Sequence, residues 1–113
     1  MRPVYTPLGW ISMDLVKLQK EIFENKVKRG FNVTDVGKEI IVMTEELGEL
    51  ARAYKNSDKK PAREISNKEN IEDAVGDLMV YCLSLCEMLG LNSEEVLRKI
   101  VDNNKTRTHT GSV

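Results

Sequence analysis

Six apolar residues, Val36, Ile40, Met43, Leu47, Leu50 and Tyr54, recur at alternating steps of four and three. Only an α-helix returns side chains to one face at that interval, and the narrow seam it makes is that of a helix packed in a bundle. The pattern predicts a helix from just after Thr34 or Asp35 to about Lys55-Asn56. The prolines agree, because Pro3, Pro7 and Pro61 all lie outside the periodic regions. Three more helices are expected. One runs from Ser12, read as its cap, through Leu15, Leu18, Ile22 and Phe23 to Arg29-Gly30. Another starts near Asn67 to Asn70 and holds the least polar stretch of the chain, Leu78 to Leu89, before Gly90. The last is capped by Asn92 and carries Val96, Leu97, Ile100 and Val101.

The expected fold class is therefore all-α, a four-helix bundle in one domain spanning residues 1–113. Residues 1–11 read as an N-terminal arm, 56–67 as a polar, lysine-rich loop and 106–113 as a frayed tail. Trp10 reads as a hydrophobic anchor for the arm. Cys82 and Cys86, one helical turn apart in an apolar run, read as small buried hydrophobes rather than a disulfide. Ile40 to Met43 are consecutive apolar residues, so more than one face of the second helix needs cover. Four short helices cannot bury all of that, and a homodimer or homotetramer is expected.

Seventeen basic residues against eighteen acidic give a net charge of −1. That balance supplies no general attraction to nucleic acid or to an anionic membrane. With no run of about 18 apolar residues either, a soluble cytoplasmic protein is expected.

The acids are the anomaly. At about 100° per residue, Glu46 falls beside the seam of the second helix, and Glu49 and Glu45 follow it within an arc of about 100°. Like charges so placed cost roughly 0.2–0.5 kcal/mol per close pair unless a cation lies among them. Asp73 and Asp77 share a face of the third helix at the edge of its apolar stretch, where an unpaired charge is expensive. Two helices thus each offer a strip of carboxylates beside an apolar seam. Oxygen-only ligands suit Mg²⁺, with Mn²⁺ as substitute. The single histidine, His109, leaves no Glu-x-x-His pair for a di-iron centre.

The segment Met43-Thr-Glu-Glu-Leu-Gly-Glu-Leu-Ala-Arg-Ala resembles the EExxE signature of the MazG-like all-alpha nucleoside triphosphate pyrophosphohydrolases. Asp73-Ala-Val-Gly-Asp77-Leu resembles the family's ExxD segment, and the likeness runs from about Leu15 to Leu91. The pattern departs at Ala74, where the family has glutamate; Asp73 is the nearest acid. The resemblance implies an enzyme that cleaves a (d)NTP to the monophosphate and pyrophosphate. It implies Glu46, Glu49, Asp73 and Asp77 as magnesium ligands, and Glu45 or Glu49 as the catalytic base that activates water. It favours Asn104, Lys105 and Arg107 for the phosphate tail, with Arg52 and Lys55 as further cations. Gln19, with Phe23 one turn on, is a candidate contact for the base. Two rivals remain: a phosphoribosyl-ATP pyrophosphohydrolase-like enzyme using the same acids, and a non-catalytic helical adaptor whose acids are merely solvated.

Overall fold

The computed structural model describes residues 3–6, 9–12 and 14–107. Four helices carry the fold: α1 (Leu15–Arg29), α2 (Val36–Lys55), α3 (Glu69–Met88) and α4 (Ser93–Thr106). Among the described residues the chain is all-α apart from a two-stranded antiparallel hairpin at its start, β1 (Pro3–Thr6) and β2 (Gly9–Ser12), with Tyr5 opposite Trp10. The expected arm therefore pairs with itself. The packing of Trp10, the segment 108–113 and His109 lie outside the described residues.

Local chemistry sets the helix ends. Asp14, not Ser12, caps α1, accepting from the amides of Val16 at 3.0 Å and Lys17 at 3.1 Å, because Ser12 is taken up by β2. Asp35 caps α2 through the Lys38 amide, and Asn92 caps α4 through the Glu95 amide, both at 3.0 Å. At the other end of α1, Gly30 has φ 74°, and the amides of Gly30 and Phe31 return to the carbonyls of Val27 and Lys26. Gly90, at φ 68°, closes α3 the same way onto Glu87 and Cys86. This closure needs a left-handed residue, which glycine adopts without a Cβ clash.

Helices α2 and α3 make the largest contact, and α1 packs across α3. The face α2 turns inward keeps only half of the expected seam, Val36, Met43 and Leu50. Val36, Glu39, Val42, Met43, Glu46, Leu50 and Ala53 are shielded, while Ile40, Leu47 and Tyr54 are each about half exposed, Leu47 at 57%. On α3 the corresponding outward strip is Val75, Met79 and Cys82. Cys82 is thus exposed and Cys86 only half buried, against expectation, though both are free thiols.

The centre of the protomer is correspondingly polar. Among the described residues Ala74 is the sole fully buried apolar side chain, whereas Gln19, Lys26, Glu39, Ser84 and Ser93 are all buried. Lys26 Nζ donates to Glu39 Oε2 at 2.5 Å and to Ser84 Oγ at 2.7 Å. Its ammonium also lies 6.0 Å from the centre of the Tyr81 ring. One ion pair thereby ties α1, α2 and α3 together. Burying charge is tolerable here because each group has a partner.

Candidate functional site

Glu46 and Glu49 project from α2 and Asp73 and Asp77 from α3 into one cavity of about 390 Å³. Arg52, Ala53 and Asn56 at the end of α2, and Asn70 and Ala74 at the start of α3, complete its walls. The antiparallel packing produces this. The acids lie on one flank of the α2–α3 pair and the exposed apolar strips on the other, so each helix keeps two distinct faces.

Glu46 is the most shielded of the four, the other three being exposed. Burial and then the charges of Asp77, Glu49 and Glu45 push its pKa above the ordinary carboxylate value of 4.5. Tyr81 responds to the same field: burial first, then Glu46, Glu39, Asp77 and Glu45, raise its phenol above 10.0. Glu49 is balanced by Arg52 Nη1 at 3.5 Å, an exposed pair one turn along the helix. Glu45 does not line the cavity; it is exposed and acts on Glu46 only as a neighbouring charge. Among the described residues no group of three or more His, Cys, Asp or Glu side chains is arranged to hold a metal ion. Like charges at this spacing repel, and the carboxylates share a cavity without converging on a point.

The family model of the MazG nucleotide pyrophosphohydrolase domain matches residues 37–111, which contain all four acids. The chain belongs to this family. No curated protein and no solved structure matches it.

A second cavity of the MazG chain, about 560 Å³, opens between α1, the start of α2 and α3. Asp77 belongs to both cavities, so the two adjoin. Its walls include Arg29, Phe31, Asn32, Lys38 and Tyr81, with the Arg29 guanidinium 4.9 Å from the centre of the Phe31 ring. Tyr81, expected as a core residue beside Asp77, is half-buried here, and Arg29, Phe31, Asn32 and Lys38 were not among the expected site residues. The available signal was Phe31, a large aromatic placed directly after the glycine that ends a helix.

Gln19 is elsewhere. It is 2% exposed, and its amide is spent inside the protomer: Nε2 donates to Glu87 Oε1 and the Leu91 carbonyl, both at 2.8 Å, and Oε1 accepts from the Ser93 amide at 2.9 Å. The first amides of a helix have no partner within it, and Gln19 supplies one for α4. A side chain so committed is not offered to a base. Phe23, half buried, lines neither cavity. Asn104, Lys105 and Arg107 are exposed and line neither cavity, Lys105 being 3.5 Å from Asp102 on its own helix. Of the expected substrate contacts, only Arg52 stands beside the acids.

Proposed function

We propose that this MazG protein hydrolyses a nucleoside triphosphate between the α and β phosphorus atoms, giving the monophosphate and pyrophosphate with the help of Mg²⁺. The observation that carries the reading is the single cavity shared by Glu46, Glu49, Asp73 and Asp77, formed by two antiparallel helices inside the family match. The donor set suits a hard divalent cation. It is all oxygen and carries an excess of negative charge, which adds to burial in raising the Glu46 pKa.

Glu46, Glu49, Asp73 and Asp77 would hold the ion. Asp73 stands in for the family glutamate, since the position of that residue is filled by Ala74, packed at 5% exposure. The chemistry of a bound Mg²⁺ is neutralisation of phosphate charge and polarisation of the phosphorus under attack. Water is the nucleophile. Glu49 is better placed than Glu45 to orient it and take its proton, because Glu49 faces the cavity. The nucleoside extends past Asp77 into the second cavity, where Phe31 offers a ring face and Lys38 a hydrogen-bond donor.

The apolar flank of the α2–α3 pair supports assembly with a second copy. Ile40, Leu47, Tyr54, Val75 and Met79 are all at least 41% exposed on one side of two helices. Contiguous apolar surface of this kind is normally an interface. Asn104, Lys105 and Arg107 enter the reaction only as groups brought to a site by that second copy.

The test is pyrophosphate release from the canonical ribo- and deoxynucleoside triphosphates, with and without magnesium, for the wild-type chain, E46Q and D77N. Magnesium-dependent release is expected from the wild type, with at least a hundredfold less from either variant while the circular dichroism spectrum is kept. A fully active E46Q protein contradicts the reading. Wild-type protein that is inactive and binds no magnesium leaves a helical adaptor as the explanation.

A further inference from the structure

Within an almost neutral chain, residues 52–68 are strongly basic: Arg52, Lys55, Lys59, Lys60, Arg63 and Lys68 face only Asp58 and Glu64 as acids. This segment starts and ends at the acidic cavity. Arg52 and Asn56 line the cavity where the loop leaves α2, and Asn70 lines it where the chain has entered α3.

The loop is also built. Asp58 accepts from the Ser66 amide at 3.1 Å and hydroxyl at 2.6 Å with one oxygen, and from the Lys60 amide at 3.2 Å with the other. Ser57 Oγ donates to the Tyr54 carbonyl at 2.6 Å and accepts from the Lys59 amide at 3.1 Å. Lys68 Nζ donates to the Arg63 carbonyl at 3.2 Å. One turn of 3₁₀ helix, Ala62–Glu64, fills the middle. Asp58 is thereby held by the loop's own amides and the Ser66 hydroxyl. Among the described residues none of Lys55, Lys59, Lys60, Arg63 and Lys68 forms a salt bridge.

We infer that the loop joining α2 to α3, together with Arg52, is a cationic rim that receives the terminal phosphates of the substrate and then the pyrophosphate product. The inference rests on the hydrolase reading and orients the substrate within it: nucleoside beyond Asp77, leaving group toward Arg52 and the loop. A polyphosphate meeting four carboxylates is repelled unless positive charge lies within about 8 Å, the screening distance at physiological salt. Arg52 brings such charge to the cavity wall, and the other cations follow in the loop that leaves the wall at Asn56 and returns to it at Asn70. Arg52 has a double part, since it pairs with Glu49 and stands at the start of the rim.

The experiment compares the wild-type chain with K59Q/K60Q/R63Q, and with K17Q/K28Q/K99Q as a control that removes the same charge from exposed positions on α1 and α4. Isothermal titration with inorganic tripolyphosphate in magnesium is read first, so that binding is scored whether or not the protein hydrolyses nucleotides. The rim variant is expected to bind tripolyphosphate about tenfold more weakly than wild type and control. In turnover, its KM and the inhibition constant of pyrophosphate rise together, and both lose most of their salt dependence. K59R/K60R/R63K restores all of these. Failure of the wild type to bind tripolyphosphate, or equal binding by the rim variant, overturns the inference. A chain that binds tripolyphosphate through the rim yet releases no pyrophosphate from any nucleotide overturns the hydrolase reading alone.

Discussion

Replacing Lys26 by methionine tests the polar centre most directly. The substitution keeps the unbranched stem of the side chain and removes the charge, leaving Glu39, 2% exposed, with only the Asn32 amide at 3.4 Å. An uncompensated buried charge costs about 3–5 kcal/mol. Against a domain stability of about 5–15 kcal/mol, that is a large share. With a urea m-value of about 1–3 kcal/mol/M, the unfolding midpoint should fall by about 2 M. The second variant, K26M/E39M, removes both charges and refills the space with apolar atoms. It should recover to within about 1 kcal/mol of wild type or exceed it, giving a coupling energy of about 3 kcal/mol between the sites. The assay is urea unfolding followed by circular dichroism at one protomer concentration for wild type, K26M, E39M and K26M/E39M, since assembly shifts apparent stability. A K26M loss under about 1 kcal/mol, or a double variant as unstable as the two singles summed, refutes the idea that Lys26 and Glu39 act as one buried unit.

Saturating magnesium should raise the melting temperature of the wild type, as about 2.7 kcal/mol at a hundred times the dissociation constant requires, and E46Q should lose most of that rise in differential scanning fluorimetry. Without metal, Glu46 has a folded pKa above its ordinary 4.5, so its stabilising contribution is full below pH 4.5 and disappears as pH rises through the raised value. The stability difference between wild type and E46Q should follow that course across a pH series and be abolished by magnesium. Charge placed on the apolar flank, as in I40E/L47E, should shift sedimentation velocity from an assembly to single protomers without loss of helical content. Q19L should cost about 1–3 kcal/mol, because the Ser93 amide and Leu91 carbonyl lose their partner, and should speed hydrogen exchange at the start of α4.

Much of this architecture was legible in the sequence. The caps Asp35 and Asn92, the stops at Gly30 and Gly90 and the extent of α2 follow from local hydrogen bonding, which a short window of residues determines. Helical spacing also places Glu46 with Glu49, and Asp73 with Asp77, on one flank of each helix, while their meeting in one cavity depends on how α2 packs on α3. Periodicity, however, says that a helix has an apolar face without naming its neighbour. The strip Ile40, Leu47 and Tyr54 faces outward, and the face toward α3 is centred on Glu39, Glu46 and Leu50. Contacts between distant segments were harder still. Gln19 and the Ser93 amide are 74 residues apart, and no local pattern pairs them. Lys26 and Glu39 did leave a trace, opposite charges each at a core interval, Lys26 one turn after Ile22 and Glu39 one turn before Met43. Each interrupts an apolar face.

Helix α1 lies wholly outside the matched stretch 37–111, yet it holds Lys26 and Gln19. A shortened chain starting at Gly37 would strand a carboxylate at Glu39, a hydroxyl at Ser84 and an amide at Ser93 in the space α1 had filled. The matched stretch is thus smaller than the unit that these buried contacts hold together. The signature delimits the chemistry, and the helix before it supplies the counterion and the clasp that let the remainder close.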